Sequence, residues 1–260
     1  MLAAQRRALI LERLAAEGAV TVGALAAACD VAEMTIRRDL DALHAAGRLQ
    51  KVHGGATASK AIPGEPMFAA KAALAAPAKA AIAREAAALV APGMVIALTA
   101  GTTTHAIATE LVQQRGLTVI TNSIRVAEVF HDVPIEDIEV IVTGGVRTPS
   151  DALVGPLAID AIEALHIDIC FMGVYGMDAA AGFTTPNLLE ADTNRAFADA
   201  SGDFVVVADS SKWGTVGMRT IATLDEASTV ITDTGLSRAA RKTLSTHAGT
   251  LVLAKPDRSA

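Results

Sequence analysis

The sequence predicts a protein of two domains: a small, mainly helical domain ending in a β hairpin, then a larger α/β domain with a largely parallel sheet. Three observations predict this. Residues 1–57 contain three helical stretches and a Gly-Gly hairpin, and from Met94 onward short apolar runs alternate with amphipathic stretches. Between them, residues 58–78 hold three prolines and show no clear period, which predicts a linker. The α/β domain is therefore expected over residues 79–260.

The charge is divided unevenly along the chain. The first 60 residues carry 8 lysines and arginines against 6 acidic residues, a net charge of +2. The remaining 200 carry 14 against 22, a net charge of −8, so the whole chain has a formal net charge of −6. A mildly basic end on an acidic body indicates that the N-terminal domain, and not the larger one, meets a polyanion.

The composition excludes several classes of protein. With 52% hydrophobic and 19% charged residues, the 260-residue chain is globular and not disordered. The longest apolar run, about 15 residues from Ala86, is broken at Pro92, whereas a membrane helix needs roughly 20. The N-terminus lacks the apolar core of a signal peptide. Cys29 and Cys170 have neither metal nor disulfide spacing. We therefore expect a cytoplasmic protein that makes no membrane contact.

In the N-terminal domain, apolar spacing predicts helices over residues 3–17, 22–29 and about 33–46. Thr21 stands where it can cap the second helix. The stretch RLQKVHGGATA then places two short extended arms around Gly54-Gly55. This pattern predicts a hairpin, or wing, after the third helix.

The third helix presents an arginine to solvent. Ile36, Leu40 and Leu43 recur at helical spacing and face the core, so at about 100° per residue Arg38 points directly away from it. Forked guanidinium donors on an exposed helix suit guanine edges and phosphates in a major groove. Basic side chains of the hairpin would neutralise further phosphates. The predicted DNA-contacting residues are Met34, Thr35, Arg37, Arg38, Arg48, Lys51, His53 and Gly54.

An alternative interpretation of the adjacent arginines is structural. Arg37 and Arg38 could form surface ion pairs with Glu33, Asp39 or Asp41, which contribute little to stability. For an isolated pair of arginines on a helix this alternative would be preferred. The order of helix, short helix, helix and Gly-Gly hairpin within 57 residues favours DNA binding instead.

The larger domain contains seven predicted strands separated by amphipathic stretches such as HAIATELVQQ and LAIDAIEAL. The predicted strands are VIALT, TVIT, IEVIVT, DICFMG, FVVVAD, STVITD and TLVLA. Alternation of strand and helix is typical of a largely parallel sheet with helices packed on it.

Three polar loops, at residues 100–104, 121–123 and 143–145, follow the first three predicted strands. Ligands of open α/β sheets bind beyond the carboxyl ends of the strands. A loop of small residues that opens a helix offers backbone N–H groups at the positive end of the helix dipole, which suits a phosphate. One Thr-rich turn is explained by helix capping alone, but three at one edge predict a small anionic ligand.

Polar residues also follow the later strands. Asp178, Glu190 and Lys212 fall in such segments, and together with Arg147 they are candidates to contact sugar hydroxyls. Residues of these types after apolar strands are also ordinary turn formers.

The motifs ILERL, VGALA, AEMTIRRDL and LQKVHGGA, within residues 6–57, resemble the winged helix-turn-helix of DeoR-type bacterial transcriptional regulators. The stretches AGTTT, TVITNS, TGGVR, LVGPLA, GFTTPNLLEA, VVVADSSKWG and VITD resemble the sensor domain of the same family. The resemblance thus covers nearly the whole chain. It implies a Rossmann-like α/β sensor domain similar to ribose-5-phosphate isomerase, and an effector that is a phosphorylated sugar.

The resemblance implies a phosphate loop from Gly101 to Thr104, and it matches Glu190 and Lys212 to the acidic and lysine positions of an isomerase-like pocket. With the loop residues above, the predicted effector-binding residues are Gly101, Thr102, Thr103, Thr104, Asn122, Ser123, Arg147, Asp178, Glu190 and Lys212.

The sequence departs from the family pattern at three positions. Ala32 stands where a serine that caps the third helix is common. Thr99 replaces an aspartate before the phosphate loop, and Tyr175 replaces a smaller or acidic residue. Since the last two changes alter the pocket, the resemblance does not imply which sugar is bound.

Together these features predict a sequence-specific DNA-binding transcriptional regulator, a repressor of a carbohydrate-metabolism operon that a phosphorylated sugar releases from DNA. Helix-turn-helix proteins bind paired half-sites, so we expect a homodimer or homotetramer on double-stranded operator DNA.

Two other functions are weighed against this one. A sugar-phosphate isomerase-like enzyme with a fused DNA-binding domain would use Glu190 and Lys212 as general base and electrophile, but it leaves the DNA-binding domain unexplained. A metal or redox sensor is disfavoured because the six histidines (44, 53, 105, 131, 166 and 247) and two cysteines show no ligand spacing. No metal, cofactor or catalytic residue is therefore expected.

Overall fold

The computed structural model describes residues 3–17, 19–45, 49–52, 54–57, 68–134 and 136–256. The chain divides into two compact units, Met1–Pro66 and Met67–Ala260.

In the described part of the N-terminal unit there are three helices and a three-stranded antiparallel sheet of order β1-β3-β2. Its elements are α1 (Ala3–Glu17), β1 (Ala19–Thr21), α2 (Val22–Cys29), α3 (Glu33–Ala45), β2 (Gln50–Val52) and β3 (Gly55–Thr57). The three predicted helices and the hairpin are confirmed. Thr21 caps α2 as expected, because its side chain accepts a hydrogen bond from the Ala24 N–H at 3.2 Å.

Strand β1 was not expected, since three residues carry too little periodicity to predict a strand. It pairs with β3 so closely that a Cβ added to Gly55 would lie 2.1 Å from the Val20 carbonyl oxygen. The second glycine of the Gly-Gly pair is therefore required by the close approach of two backbones, and the wing is a three-stranded sheet.

The C-terminal unit alternates helices and strands. Its helices are α4 (Phe68–Ala73), α5 (Ala76–Ala87), α6 (Thr102–Leu111), α7 (Ile124–Val129), α8 (Pro156–Glu163), α9 (Leu188–Asp199) and α10 (Arg238–His247). Its strands are β4 (Val95–Leu98), β5 (Leu117–Thr121), β6 (Ile138–Val142), β7 (Val146–Arg147), β8 (Leu153–Val154), β9 (Ile167–Gly173), β10 (Gly176–Asp178), β11 (Gly182–Thr185), β12 (Ser201–Val207), β13 (Arg219–Ala222), β14 (Thr229–Asp233) and β15 (Thr250–Ala254).

A seven-stranded sheet of order β15-β14-β12-β9-β4-β5-β6 forms the centre of this unit, and every pair in it is parallel. All seven predicted strands are confirmed. From β4 the chain builds outward through β5 to β6, and then returns to place β9 on the other side of β4. The strand order therefore reverses between β4 and β9, which is where open α/β sheets bind ligands.

Two small sheets were not expected. Strands β10, β11 and β13 form an antiparallel sheet, and β7 pairs with β8 in a two-stranded ribbon. Their strands are two to four residues long, too short for alternation to distinguish them from turns.

The predicted linker, 58–78, is corrected in its last part, because α4 and the start of α5 lie within it. Alanine is a strong helix former, and Pro77 falls in the first turn of α5, where a missing N–H costs nothing. The earlier part of the linker lies outside the described residues, and the predicted boundary there stays a prediction.

Helix α3 begins without a side-chain cap. The Ala32 carbonyl accepts hydrogen bonds from the N–H groups of Thr35 and Ile36, at 2.9 and 3.4 Å, so Ala32 is the N-cap. Asp30 does not substitute for a capping serine, because it closes α2 in the left-handed region with φ of 51°. The first turn of α3 thus has no side-chain acceptor at its capping position.

We expect the Ala32→Ser variant to be more stable than the unaltered chain by about 1 kcal/mol, because the new hydroxyl can accept a hydrogen bond from the first turn. Urea unfolding followed by far-UV circular dichroism measures the gain. The same change at Ala28, exposed in the last turn of α2, is the matched control and should not stabilise. An equal response of both variants would contradict the capping argument.

Asp39 is a buried acid that holds α3 to α1. It is 2% exposed and accepts hydrogen bonds from Arg6 and, at 2.9 Å, from the Nε of Arg7. Burial by itself would raise the pKa of this carboxyl, but the hydrogen bonds and charges of the two arginines outweigh it and hold the pKa below its usual value. The ionised carboxylate therefore stabilises the N-terminal unit.

The unfolded-state pKa of an aspartate is about 4. A carboxyl whose pKa is lower in the folded state contributes its full stabilising free energy above that value, and this contribution is lost as the pH falls through the folded-state pKa. We expect Asp39→Asn to unfold at lower urea than the unaltered chain at pH 7, and the difference to shrink at pH 3. Trp213, the single tryptophan, lies in the C-terminal unit. A circular dichroism transition without a fluorescence change therefore reports the N-terminal unit. A difference that is the same at both pH values would contradict the assignment.

Candidate functional site

Helix α3 buries one face and exposes the other, as predicted. Ile36 and Leu40 are fully buried and Leu43 is 6% exposed, whereas Arg38 is exposed. Arg38 makes no hydrogen bond or ion pair within the described part of the chain. Its guanidinium is therefore available to a partner.

The other predicted DNA contacts on α3 differ in their surroundings. Met34 is 60% exposed and Thr35 is half-buried. Arg37 pairs with Glu33 one turn earlier, with 3.1 Å between Nη2 and Oε2. The structural alternative thus holds for Arg37 in this structure, and Asp39 pairs with α1 rather than with Arg38. Since both side chains of the Arg37 pair are more than half exposed, DNA could compete for this arginine at little cost.

The wing lies against α3. Lys51 on β2 forms an ion pair with Asp41 on α3, and Asp41 stands one helical turn after Arg38. Lys51 and Arg38 therefore belong to one exposed surface, which carries positive charge from both elements. Gly54 is exposed at the tip of the wing with φ of +81°. The predicted contacts Arg48 and His53 lie outside the described residues.

The carboxyl ends of all seven parallel strands meet at one edge of the central sheet. Backbone and side-chain hydrogen bonds join the loops there. The Thr121 hydroxyl donates to the Leu98 carbonyl at 2.6 Å, and the Thr143 N–H donates to the Thr121 carbonyl at 3.1 Å. The three predicted polar loops are thus brought together at the ends of β4, β5 and β6.

Helix α6 begins at this edge of the sheet, and its first backbone N–H groups are free donors. Gly101 is its N-cap and provides no side-chain acceptor, so the first N–H groups of the helix have no partner within it. The Thr104 hydroxyl is bonded to the Gly101 carbonyl at 3.0 Å. The hydroxyls of Thr102 and Thr103 make no hydrogen bond within the described part of the chain. Thr103 is only 7% exposed, so its side chain occupies a nearly buried position at the start of the helix.

Asn122 and Ser123 hold the loops in place. The Asn122 side chain accepts from the Ala100 N–H at 3.0 Å and donates to the Leu153 carbonyl at 3.1 Å. The Ser123 hydroxyl caps α7 by accepting from the Val126 N–H. Both residues are 1% exposed. The Asn122 side chain therefore holds the start of the predicted phosphate loop, and the Ser123 hydroxyl holds the start of α7.

Thr99, the residue in place of the family's aspartate, is fully buried and accepts a hydrogen bond from the Gly173 N–H at 3.2 Å. It joins the end of β4 to the end of β9, across the point where the strand order reverses. The substitution therefore exchanges a potential ligand-facing carboxylate for a neutral link between two strands.

Glu190 lies in the first turn of α9 and is surrounded by hydroxyls. Its Oε1 accepts from Thr148 at 3.0 Å and from Ser150, and its Oε2 accepts from Thr185 at 3.3 Å. These partners come from the segment after β7 and from β11, so Glu190 joins two regions that are far apart in sequence. A carboxylate with three hydroxyl donors is a strong acceptor site already in use.

Two other predicted residues are held by local contacts. Arg147 donates to the Asp151 carboxylate, which also accepts from Arg125 at 2.8 Å. Burial would raise the pKa of Asp151, but these arginines lower it below its usual value. Asp178 accepts from the N–H groups of Ala180 and Ala181, at 2.9 and 3.0 Å. It therefore closes the β10–β11 turn.

Lys212 lies in a single 3-10 turn, Ser210–Lys212, beyond β12. Its Nζ is 5.9 Å from the centre of the Tyr175 ring, within reach of a cation–π interaction. The aromatic residue that departs from the family pattern therefore stands beside the predicted lysine.

Lys79 on α5 lies in the same region as Lys212, and it was not among the site residues predicted from the sequence. It is 6% exposed, and burial, together with the positive charges of Lys212 and Lys71, lowers its pKa, while Asp209 opposes the shift. No local motif marks it, because it lies in an alanine-rich stretch and because Asp209 and Lys212, two of the charged residues that affect it, are distant in sequence. The sequence signal that could have suggested Lys79 as a site residue is its place as the fourth residue of a helix that leads into a strand.

The N-terminal unit is a winged helix-turn-helix with an exposed arginine on its third helix. The C-terminal unit is a parallel α/β domain with free N–H donors, suited to an anion, where the strand order reverses. Together these features define a ligand-responsive DNA-binding protein. Comparison with protein families agrees. Residues 6–61 match the DeoR-like helix-turn-helix domain and residues 75–234 match the DeoR C terminal sensor domain. The chain belongs to the DeoR family of transcriptional regulators.

Relatives match over almost their full length. The chain is 37% identical to the HTH-type transcriptional regulator YgbI of Escherichia coli (strain K12), covering 98% of this chain and 99% of that protein. It is 36% identical to the HTH-type transcriptional regulator GolR of Listeria innocua, covering 92% and 93%. It is 31% identical to the transcriptional repressor AccR of Agrobacterium fabrum, covering 88% and 89%.

Among solved structures, ribose 5-phosphate isomerase A from Methanocaldococcus jannaschii matches with a TM-score of 0.39 and 20% identity, over 52% of this chain and 53% of that one. A similarity at this level assigns no activity. Within the described ranges, no helix has the length and apolar character needed to cross a bilayer, and no group of three or more His, Cys, Asp or Glu side chains is arranged to hold a metal ion.

Proposed function

We propose that the protein is a repressor of a carbohydrate-metabolism operon, and that a phosphorylated sugar bound at the carboxyl edge of the central sheet lowers its affinity for operator DNA. The observation that carries the proposal is the first turn of α6, which contains free N–H groups and the hydroxyls of Thr102 and Thr103, unbonded within the described residues. Such a helix N-terminus is suited to a phosphate.

The remaining contacts would come from around this loop. Lys79 and Lys212 would supply positive charge, and Glu190 and Arg147 would contact sugar hydroxyls in exchange for hydrogen bonds that they now make within the chain. Asn122 and Ser123 act as positioning residues for the loop, and Asp178 as a turn-forming residue at the margin of the site. The relatives support repression, since AccR is a transcriptional repressor and another relative, 32% identical over 89% of this chain, is named a putative aga operon transcriptional repressor.

On the DNA side, α3 enters the major groove with Arg38 directed at a base or phosphate, and the wing carries Lys51, and by sequence also Arg48 and His53, to the backbone. The protein acts in the cytoplasm as a homodimer or homotetramer, because one α3 reads too few base pairs to specify an operator. Two copies would read half-sites about one helical turn apart.

Fluorescence anisotropy at fixed salt tests the DNA-binding half of the proposal. A labelled duplex from the region upstream of the protein's own gene should bind far more tightly than the same duplex with its sequence scrambled. Sedimentation of the complex should give an even number of chains per duplex. Equal affinity for both duplexes, or a single chain bound per operator, would contradict it.

We further propose that the protein is not an isomerase. The Glu190 carboxylate, the candidate base, already accepts three hydroxyl hydrogen bonds, which leaves it poorly suited to remove a proton from carbon. We expect no turnover of ribose 5-phosphate in a coupled assay. Turnover that disappears in Glu190→Gln would overturn this and establish the enzyme instead.

A further inference from the structure

Helix α4 is the first described element after residues 58–67, the segment that joins the two units of the chain. It is attached to the rest of the C-terminal unit at both ends. At its C-terminal end, the Lys79 ammonium donates to the carbonyl oxygens of Lys71 and Leu74. Lysine bonded to the last carbonyls of a helix is a recognised stabiliser of a helix end.

The N-terminal end of α4 is attached through an aromatic ring. Phe68 packs edge-on against His105, with ring centres 5.3 Å apart, and the Arg125 guanidinium carbon lies 5.9 Å from the centre of the Phe68 ring. His105 is in the first turn of α6, directly after the phosphate loop, and Arg125 follows Asn122 and Ser123 on α7. Burial, and then the charge of Arg125, lower the pKa of His105 and favour the neutral ring that packs on Phe68.

Both attachments therefore end on elements of the proposed effector site. Lys79 has three N–H donors, of which two are engaged by α4, and it lies close enough to Lys212 and Asp209 to interact with their charges. An anion that binds beside Lys212 competes for the same ammonium.

We propose that α4 is a strap, held by Lys79 and Phe68, and that an anionic effector at the carboxyl edge of the sheet releases it by drawing Lys79 away from the α4 carbonyls. This inference rests on the proposed function, because it assumes that the effector site lies at that edge. It adds the route by which the site changes DNA binding.

Release of the strap lengthens the connection to the DNA-binding unit. Residues 68–75 would be added to the segment that joins the two units, and eight residues reach at most about 28 Å when extended. In an oligomer on a paired operator, a longer tether lowers the effective concentration of the second DNA-binding unit. By linkage, the factor by which the effector lowers operator affinity equals the factor by which bound operator lowers effector affinity.

Amide hydrogen exchange on the full-length protein tests the strap directly. The probes are inorganic phosphate and ribose 5-phosphate, each at saturating concentration. We expect exchange in residues 68–75 to become at least about tenfold faster with a bound probe. A probe that protects the amides of residues 101–104 while leaving those of 68–75 unchanged would overturn the strap and leave the effector site intact.

The Phe68→Ala variant tests the same claim without a ligand. It removes the ring attachment and leaves the effector loops unaltered, so we expect residues 68–75 to exchange faster, operator affinity to fall about tenfold, and ribose 5-phosphate to bind more tightly. A variant that was only structurally damaged would bind both operator DNA and ribose 5-phosphate more weakly. Leu74→Ala is the control, because the Leu74 side chain is 62% exposed and only its carbonyl contacts Lys79.

The outcomes separate the two proposals. If Phe68→Ala binds operator and ribose 5-phosphate as the unaltered chain does, the strap is wrong and the proposed function stands. If the unaltered chain binds no operator, the proposed function fails, and the exchange measurement with inorganic phosphate still decides whether an anion releases α4.

Discussion

A Thr103→Val variant is expected to bind operator DNA normally and to lose its response to the effector. Valine has nearly the shape of threonine, so the buried position stays filled, but the hydroxyl that makes no hydrogen bond within the described residues is removed. A hydrogen bond to a charged group contributes about 1.5–3 kcal/mol, or roughly 10- to 150-fold in effector affinity. Effector concentrations that release the unaltered protein from DNA should then have no effect on the variant.

The matched control is Thr109→Val on the same helix. Thr109 is exposed and its hydroxyl bonds to the His105 carbonyl at 3.0 Å, so the change removes a hydroxyl of the same type outside the loop. Anisotropy of a labelled operator, titrated with effector, measures both variants. If Thr103→Val is released by effector as readily as Thr109→Val, the α6 loop is not part of the site.

The Arg38→Ala variant is expected to bind specific operator DNA more weakly by about 1–3 kcal/mol, the contribution of a good bidentate base contact. The side chain is exposed and has no partner among the described residues, so its removal leaves no buried charge behind. Specificity should relax at one base pair of each half-site. The effect should appear in binding isotherms on the operator and on operators with single base changes.

Arg115→Ala is the control for the loss of one positive charge. The Arg115 side chain is 81% exposed and lies in the C-terminal unit, so its removal should leave operator affinity nearly unchanged. A loss in Arg38→Ala that is equal for every DNA sequence, with a smaller salt dependence, would contradict base reading and make Arg38 a phosphate contact.

The larger features of the fold could be predicted because they are periodic. Each of the seven central strands was predicted from a short segment rich in apolar and β-branched residues, and the alternation of these segments with amphipathic stretches predicts a parallel sheet. The exposed position of Arg38 followed from the helical spacing of Ile36, Leu40 and Leu43. The short strands β1, β7 and β8 carry no such period, and they are defined by backbone pairing, β1 with the distant β3 and β7 with the nearby β8.

The contacts within the site could be predicted only in part. The polar loops are local in sequence, so their position at one edge followed from the strand order. The hydrogen-bond partners of each side chain could not be predicted in this way. Glu190 meets Thr148 and Ser150 from 40 or more residues away, and the role of Lys79 depends on α4 and on the loop after β12. Such contacts are created by tertiary packing, and no local pattern records them.

The most direct test of the central claim is a titration of the protein–operator complex with a panel of sugar phosphates, followed by fluorescence anisotropy at fixed salt, with inorganic phosphate and the unphosphorylated sugars as controls. We expect one sugar phosphate to release the DNA and its unphosphorylated form to have no effect, because the contact that we propose at the α6 N-terminus is with the phosphate. Specific operator binding that no phosphorylated sugar weakens would contradict the account of the C-terminal unit as a sugar-phosphate sensor.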